Sequence, residues 1–288
     1  PISVDNFMLF KKNNIVPLPE LTGLLDNPAD HSFVKTKFNK STWKKANAGG
    51  QNTFNKHQQP RSNWLLNKKN AQDSNEKLYS IFRSLLNKLT DKNIDELVDE
   101  LINLDIQERM HLEKLADLII NKSITESNFT SLYASLSRRL AGIYINHGSK
   151  KVYLRELLIN RCQNMFIECI SIDKFDDNAL SINFRRKSEV LGYIMYIGEL
   201  YNRDLLTDKV IGGCFKLIFS RIELKKMFII DILCTLVKTV GKKFNKSCPN
   251  ETNYIFSNLS SLKDSECIEI KEKFTIMDII DLKTKGWD

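Results

Sequence analysis

Proline is almost absent from most of this 288-residue chain. Five of the six prolines lie within the first 60 residues, and Pro249 is the sixth. Because proline interrupts helices and central strands, the proline-poor remainder can form long uninterrupted helices. The first part combines its prolines with many Asn, Lys and Gln residues and has no sustained hydrophobic period. It is predicted to be irregular.

Features of membrane, secreted and metal-binding proteins are also missing. The sequence contains no run of 18 apolar residues that could cross a membrane, and its start lacks the pattern of a signal peptide. The six cysteines show no two-residue spacing, and the four histidines are scattered, which favours neither a zinc site nor a disulfide framework. We therefore expect a cytoplasmic protein with no membrane contact, no bound metal and no cofactor.

Catalytic motifs are lacking as well. The sequence at 241–243, Gly-Lys-Lys, has neither the upstream glycine nor the following hydroxyl of a phosphate-binding loop. Acidic pairs such as Asp95-Glu96 and Asp176-Asp177 are typical of solvated helix faces and loops. Without a nucleophile, a base and a group that orients them, the sequence predicts a protein that is not an enzyme.

Acidic residues are absent from residues 31–72, although this segment contains nine lysines and arginines. The whole chain has a net charge of +8, so the remaining residues sum to about −1 (+8 minus +9). Five aromatic residues lie among the basic ones, and this mixture favours binding to single-stranded RNA without sequence preference. A linker whose aromatic rings dock onto the helical part or onto another protein is the alternative. The predicted RNA-binding residues are Lys35, Lys37, Lys40, Trp43, Lys44, Lys45, Lys56, Arg61, Lys68 and Lys69.

From about residue 74 onward, apolar residues recur at the three- and four-residue spacing of helices. Asp73 and Glu76 can begin the first helix as N-cap and capping partner, and Thr90 can cap the second. About ten such stripes form about five antiparallel pairs at a period of roughly 40 to 47 residues, which predicts an all-α solenoid of HEAT type. A compact all-α bundle is the alternative. The predicted organisation is a partner-binding segment at 1–30, an irregular basic linker at 31–73 and a helical domain at 74–288.

Two of these stripes predict particular core residues. The stripe of the fourth helix begins at Phe129, and the stripe of the last helix contains Ile270, Phe274 and Met277. All four side chains are therefore expected to be buried.

Five local motifs in the helical part occur in the order found in a known family. They lie at residues 85–90, 124–129, 157–163, 196–201 and 278–282. With these motifs, the chain over about residues 74–288 resembles the middle HEAT domain of eukaryotic translation initiation factor 4G.

The resemblance implies a five-repeat scaffold that does no chemistry itself. In this family the partner is the DEAD-box RNA helicase initiation factor 4A, whose two lobes the scaffold holds in a half-open arrangement. The family's helicase-facing tryptophan lies in a strand-like segment before the first helix and corresponds to Trp64. The residues implied for the same lobe, on inter-helix turns expected beside Trp64, are Asn87, Lys88, Thr90, Glu126, Asn128 and Phe129. Those implied for the other lobe are Asp278, Asp281 and Leu282.

A second partner is implied by the start of the chain. The family binds the cap-binding protein, initiation factor 4E, through a helix with the pattern Tyr-x-x-x-x-Leu-apolar. Phe10, Ile15 and Val16 reproduce its spacing with substitutions, and a tail without this function is the alternative.

Two other functions stay open for the whole chain: a HEAT scaffold of messenger RNA decay or splicing, and an RNA-binding protein in which the helices are a rigid platform.

Overall fold

The structure, a computed structural model, describes residues 63–147, 150–171, 180–222, 228–265 and 268–287. Helices dominate these ranges, and the all-α prediction is confirmed. The helices are α1 (Asn63–Asn87), α2 (Ile94–Ile102), α3 (Arg109–Thr125), α4 (Thr130–Leu140), α5 (Leu154–Ile170), α6 (Leu180–Asn202), α7 (Asp208–Ile222), α8 (Ile229–Ser247), α9 (Pro249–Lys263) and α10 (Ile270–Thr284). A short 3-10 helix, Ser127–Phe129, precedes α4, and two strands separate α4 from α5.

The ten helices form five consecutive pairs that stack on one another. Helix α3 packs against α1 and α5, helix α6 packs against α4 and α8, and helix α10 packs against α8. One continuous apolar core, from Phe82 in the first pair to Ile279 in the last, runs through these contacts. Each pair thus buries its apolar face against its neighbours, as a solenoid requires. The prediction of about five stacked pairs is confirmed.

Helix α1 begins eleven residues earlier than the sequence analysis placed it. It is continuous from Asn63 to Asn87, so the expected cap, Asp73, lies inside the helix, and so do Lys68 and Lys69 of the predicted irregular linker. The reason is that residues 61–141 contain neither glycine nor proline, and the residues before Asp73 include the good helix formers Leu, Lys, Ala and Gln. A residue type that favours a cap does not by itself stop a helix that can continue.

The turn between α1 and α2 is closed by Asn93 and not by the expected Thr90. The Asn93 Oδ1 atom accepts a hydrogen bond from the Thr90 backbone N–H at 2.7 Å, and its Nδ2 atom donates to the Lys88 carbonyl at 2.8 Å. Helix α2 then starts at Ile94 with Asn93 as its N-cap residue. An asparagine side chain can satisfy both types of backbone group in this way, because its amide carries an acceptor oxygen and a donor nitrogen.

A β-hairpin between α4 and α5 was not predicted. Strand β1 (Tyr144–His147) pairs antiparallel with strand β2 (Lys150–Tyr153). Ile145 is buried and pairs with Val152, which packs against the core, while their neighbours along each strand point to the other face. The sequence signal was weak: β-branched and aromatic residues, which favour strands, lie on both sides of Gly148-Ser149, but no strict alternation marks the strands.

Helix α10 turns a different face to the core from the one expected. Its buried residues are Ile276 and Ile279, whereas the predicted core residues Ile270, Phe274 and Met277 are 73%, 60% and 44% exposed. The helix has two apolar stripes, and α8 and α9 cover only one of them. Periodicity shows that a stripe exists and cannot decide which of two is covered.

The end of α10 is fixed by a reversal of the chain at Gly286. This glycine has φ +79°, and the N–H groups of Gly286 and Trp287 donate to the carbonyls of Lys283 and Leu282 at 3.0 and 2.8 Å, as in a Schellman motif. The Trp287 ring then lies against Gly241 of α8, where a Cβ atom would overlap it. Trp287 also makes an edge contact with Phe256, with ring centroids 5.8 Å apart.

Candidate functional site

Two neighbouring turns carry most of the residues assigned to the first helicase lobe. Asn87, Lys88 and Thr90 are exposed at the turn between α1 and α2. Because Asn93 holds both the Lys88 carbonyl and the Thr90 N–H, the backbone that presents these three side chains has a defined path.

The second turn lies between α3 and α4 and contains Glu126, Asn128 and Phe129. Thr130 closes it, since its hydroxyl contacts the carbonyls of Ser123 and Ser127 at 2.8 and 2.9 Å. Asn128 is exposed and Glu126 is half-buried. Phe129, expected in the core, is 54% exposed, because the 3-10 helix ends there and α4 begins only at Thr130.

Tyr133 of α4 joins the two turns. Its hydroxyl donates to Glu126 Oε2 at 2.6 Å and lies 3.4 Å from the Leu86 carbonyl at the end of α1. The Lys122 ammonium donates to Glu126 Oε1 at 2.5 Å. The structure therefore places Asn87, Lys88, Thr90, Glu126, Asn128 and Phe129 on one patch, which we call the turn surface.

Electrostatics keep Glu126 charged within this network. Burial alone raises the pKa of its carboxyl, but the hydrogen bonds from Lys122 and Tyr133 outweigh burial and lower that pKa below its usual value. Burial and the bond to Glu126 raise the pKa of the Tyr133 hydroxyl, which stays protonated and can donate. The bond between Tyr133 and Glu126 is thus charge-assisted and stronger than a neutral one, and it holds the Tyr133 hydroxyl beside the Leu86 carbonyl of the first turn.

Trp64 does not lie beside the turn surface. The expected strand-like segment is the first turn of α1, and Trp64 precedes Asn87 by 23 residues in the same helix. At a rise of 1.5 Å per residue, the two positions are about 35 Å apart along the helix axis. The expected neighbourhood of Trp64 and the turn residues is therefore wrong.

The residues assigned to the other helicase lobe lie on α10. Asp278 and Asp281 are exposed and Leu282 is half-buried. Asp278 and Leu282 line a shallow groove between α10 and α8, while Asp281 is not part of its lining. On the α8 side the groove includes Asp231, whose carboxylate pairs with Lys187 at 2.5 Å. We call Asp278, Asp281 and Leu282 the α10 surface.

The remaining predicted site residues lie outside the described residues or in the first half of α1. Phe10, Ile15 and Val16, predicted for the cap-binding protein, are outside them, and so are the RNA-binding candidates from Lys35 to Arg61. Lys68 and Lys69 lie within α1, which places these two candidates on a helix and not in a linker.

The described ranges offer little for metal or thiol chemistry. They contain no group of three His, Cys, Asp or Glu residues arranged to hold a metal ion. None of their helices is long and apolar enough to cross a membrane. Their cysteines are free thiols, and burial raises the pKa of the Cys162, Cys169, Cys214 and Cys234 thiols to about 12, which keeps them protonated and weakly reactive.

Comparison with known proteins identifies the family. The family model for the MIF4G domain matches residues 80–285, which is most of the chain. The chain belongs to the MIF4G domain family. The resemblance to initiation factor 4G found in the sequence is thereby confirmed.

Relatives of this MIF4G chain include two mammalian initiation factors. It is 27% identical over 239 residues to mouse eukaryotic translation initiation factor 4 gamma 1, an alignment that covers 73% of this chain and 14% of the mouse protein. It is 28% identical over 244 residues to human eukaryotic translation initiation factor 4 gamma 2, covering 77% of this chain and 27% of the human protein. The chain thus spans less than a third of the length of either relative.

A solved structure is also similar to this MIF4G chain. It is the MIF4G domain of Trypanosoma cruzi translation initiation factor EIF4G5, with 19% sequence identity and a TM-score of 0.49, and the match covers 73% of this chain and 97% of that one.

Proposed function

We propose that this protein is a translation-initiation scaffold that binds and activates a DEAD-box RNA helicase of the initiation factor 4A type. Its role is to hold the helicase and not to catalyse a reaction. Family membership supports the scaffold role, and the single observation that carries the helicase contact is the turn surface, where Tyr133 unites the residues of two separate turns.

The turn surface has the composition of a protein-binding site. Phe129 exposes more than half of its side chain, and polar Asn87, Lys88 and Asn128 lie on the same patch. An exposed aromatic residue rimmed by polar groups is typical of an anchor that a partner buries. Because hydrogen bonds already fix both turns, little conformational entropy is lost when a partner binds.

Activation follows if the scaffold contacts both lobes of the helicase. The turn surface belongs to the first two helix pairs and the α10 surface to the last pair, so a two-lobed partner can touch the scaffold at separate places. A scaffold that binds one arrangement of the lobes better than the others shifts the helicase toward that arrangement. This needs no catalytic group on the scaffold.

The test is helicase binding by the full chain and by the double variant Asn87→Ala with Phe129→Ala. Loss of a buried aromatic anchor costs about 2 kcal/mol or more, so we expect affinity to fall about thirtyfold. The matched control is Asn250→Ala with Tyr254→Ala, which removes an exposed asparagine and an exposed aromatic residue from α9. Unchanged binding by the first variant would remove the turn-surface assignment, and no binding by the unaltered chain would remove the scaffold proposal.

The basic arm is proposed to contact messenger RNA. Its support is the charge of +9 in residues 31–72 together with interleaved aromatic residues. We expect RNA affinity to fall steeply with salt, as counterion release requires, and to drop when residues 31–62 are deleted, a deletion that leaves α1 whole. Salt-independent binding would contradict this.

The cap-binding protein is proposed as a second partner, through Phe10, Ile15 and Val16. The full chain and the triple alanine variant can be titrated against that protein, and we expect binding only by the unaltered chain. Equal affinities would end this part of the proposal.

A further inference from the structure

A second basic segment lies in the middle of the helical part. Residues 138–155 contain five lysines and arginines and no acidic residue, in a chain whose net charge outside residues 31–72 is about −1. These 18 residues include the end of α4, the β1–β2 hairpin and the start of α5. The hairpin therefore lies in a locally basic part of the helical domain.

The hairpin has one apolar face and one mixed face. Ile145 is buried, and its partner Val152 packs against the core. Alternation along a strand puts the next residues on the opposite side. The register pairs Tyr144 with Tyr153 and Asn146 with Lys151, so these four residues form the outer face.

Aromatic rings and a cation are organised on that outer face. Tyr144 is 44% exposed, its ring centroid lies 5.4 Å from that of Tyr153, and the ring planes meet at 48°. The Lys151 ammonium lies 4.2 Å from the centroid of the Tyr144 ring. Lys150 is also exposed, but alternation puts its side chain on the side of the strand opposite to Lys151.

Among the residues that the structure describes, only Arg139 of the five basic side chains in 138–155 forms an ion pair of its own. Arg139 pairs with Asp95 of α2. Arg155 donates to the uncharged carbonyl of Leu205. Arg138 acts electrostatically on Asp204, but Asp204 already pairs with Lys243 at 2.5 Å. An occupant that brings negative charge is therefore favoured.

We propose that the outer face of the β1–β2 hairpin binds single-stranded RNA, with an unpaired base stacked on Tyr144 and a phosphate held by Lys151. Every base offers a π-face to an aromatic ring, and a lysine neutralises the phosphate beside it. Asn146 on the same face can donate or accept hydrogen bonds at a base edge. An acidic peptide could pair its carboxylates with Lys151, but it has no base to stack on the exposed Tyr144 ring. RNA can make both contacts and therefore fits the face better.

The test measures binding of a fluorescently labelled 20-nucleotide oligouridine to the full-length chain. To separate this site from the basic arm, each variant is made in the natural chain and in a chain with five arm lysines replaced by glutamine. Those arm positions are Lys35, Lys37, Lys40, Lys44 and Lys45. The hairpin variant is Tyr144→Ala with Lys151→Ala, and the matched control is Tyr254→Ala with Lys246→Ala, a tyrosine and a lysine exposed elsewhere.

We expect the hairpin variant to bind about tenfold more weakly in both chains, because base stacking on one ring contributes about that much. Tyr144→Phe keeps the ring and should stay within about twofold of the unaltered chain. Urea unfolding midpoints show whether each variant is folded. If the double alanine variant does not fold, RNA binding by two single variants tests the proposal instead. Tyr144→Phe is expected to bind normally, and Lys151→Gln is expected to bind several-fold more weakly.

Affinity within twofold of the unaltered chain for a folded hairpin variant would overturn the proposal. So would a poly-glutamate peptide that binds the chain as tightly as the RNA does and shows the same dependence on Tyr144, because the face would then serve an acidic protein. Neither result would bear on helicase binding, which is measured separately at the turn surface.

Discussion

The turn surface is held by hydrogen bonds, whereas the α10 surface is held by packing. On the first, Asn93 fixes one turn and Tyr133 with Glu126 fixes the other through bonds of 2.6 to 2.8 Å, and the Tyr133 hydroxyl lies 3.4 Å from the Leu86 carbonyl of the first. On the second, Ile276 and Ile279 anchor one side of a single helix in the core while Phe274 on the other side is 60% exposed.

The two constructions should respond to different changes. A hydrogen-bonded surface is sensitive to the loss of one polar atom and to the protonation of its carboxylate. A surface that depends on packing is sensitive to the loss of buried volume and tolerates polar changes on its open side.

Shortening Ile276 should have the largest effect. This side chain is fully buried, so Ile276→Ala leaves a cavity under α10 and should lower the free energy of unfolding by about 2 to 5 kcal/mol. The measurement is urea denaturation followed by circular dichroism. The control is the adjacent Met277→Ala, which lies on the exposed face and should change stability by about 0.5 kcal/mol or less. Equal effects of the two changes would show that α10 is not oriented as described.

Removing the Tyr133 hydroxyl should have the next largest effect. Tyr133→Phe keeps the buried ring but leaves the Glu126 carboxylate without one donor, which should cost about 1 to 2 kcal/mol. Tyr254→Phe, at an exposed tyrosine of α9, is the control and should be close to neutral. Identical unfolding midpoints for the two variants would mean that the hydroxyl does not stabilise the junction of the turns.

The sequence was most informative where a pattern repeats. Ten apolar stripes at helical spacing predicted five stacked pairs, because each stripe must be buried against the next pair. The same stripes left Asn87, Lys88 and Asn128 outside the core, and the structure exposes all three. Burial of repeated apolar positions is a property of many residues together, and no single residue can overturn it.

The sequence was least informative where one residue decides between two local outcomes. Asp73 has the character of an N-cap, yet α1 continues through it because nothing upstream stops the helix. Phe129 continues the stripe of α4, yet a 3-10 turn moves it out of the core. The role of Tyr133 depends on a contact with Leu86, 47 residues away, which no local pattern contains.

Neutralising the acids of the α10 surface should have a modest effect on helicase binding. Asp278→Asn with Asp281→Asn keeps side-chain size on an exposed face and should weaken binding by about two- to fivefold, since exposed ion pairs contribute about 1 kcal/mol or less. The effect should shrink at high salt, unlike that of Asn87→Ala with Phe129→Ala. Asp105→Asn with Asp264→Asn is the control at other exposed acids. A salt-independent loss would mean that these carboxylates make buried contacts.

Lowering the pH should weaken the turn surface slightly through Glu126. Burial of this carboxyl raises its pKa, but the hydrogen bonds from Lys122 and Tyr133 lower the pKa by more than burial raises it. The folded-state pKa therefore lies below the unfolded value, which is about 4.3. A carboxyl of this kind stabilises the fold above the unfolded pKa, and the contribution is lost as the pH falls through the folded pKa.

The stability difference between the unaltered chain and Glu126→Gln should therefore be largest near neutral pH and should narrow below about pH 4. The effect is small because Glu126 keeps 37% of its side chain in contact with solvent, where water screens the charge. Urea midpoints of both proteins at pH 7 and pH 3.5 provide the measurement. A difference that does not change with pH would mean that the charge of Glu126 does not stabilise the turn surface, and the contrast between a hydrogen-bonded surface and a packed one would then rest on the bonds of Asn93 and the contact of Tyr133 with Leu86.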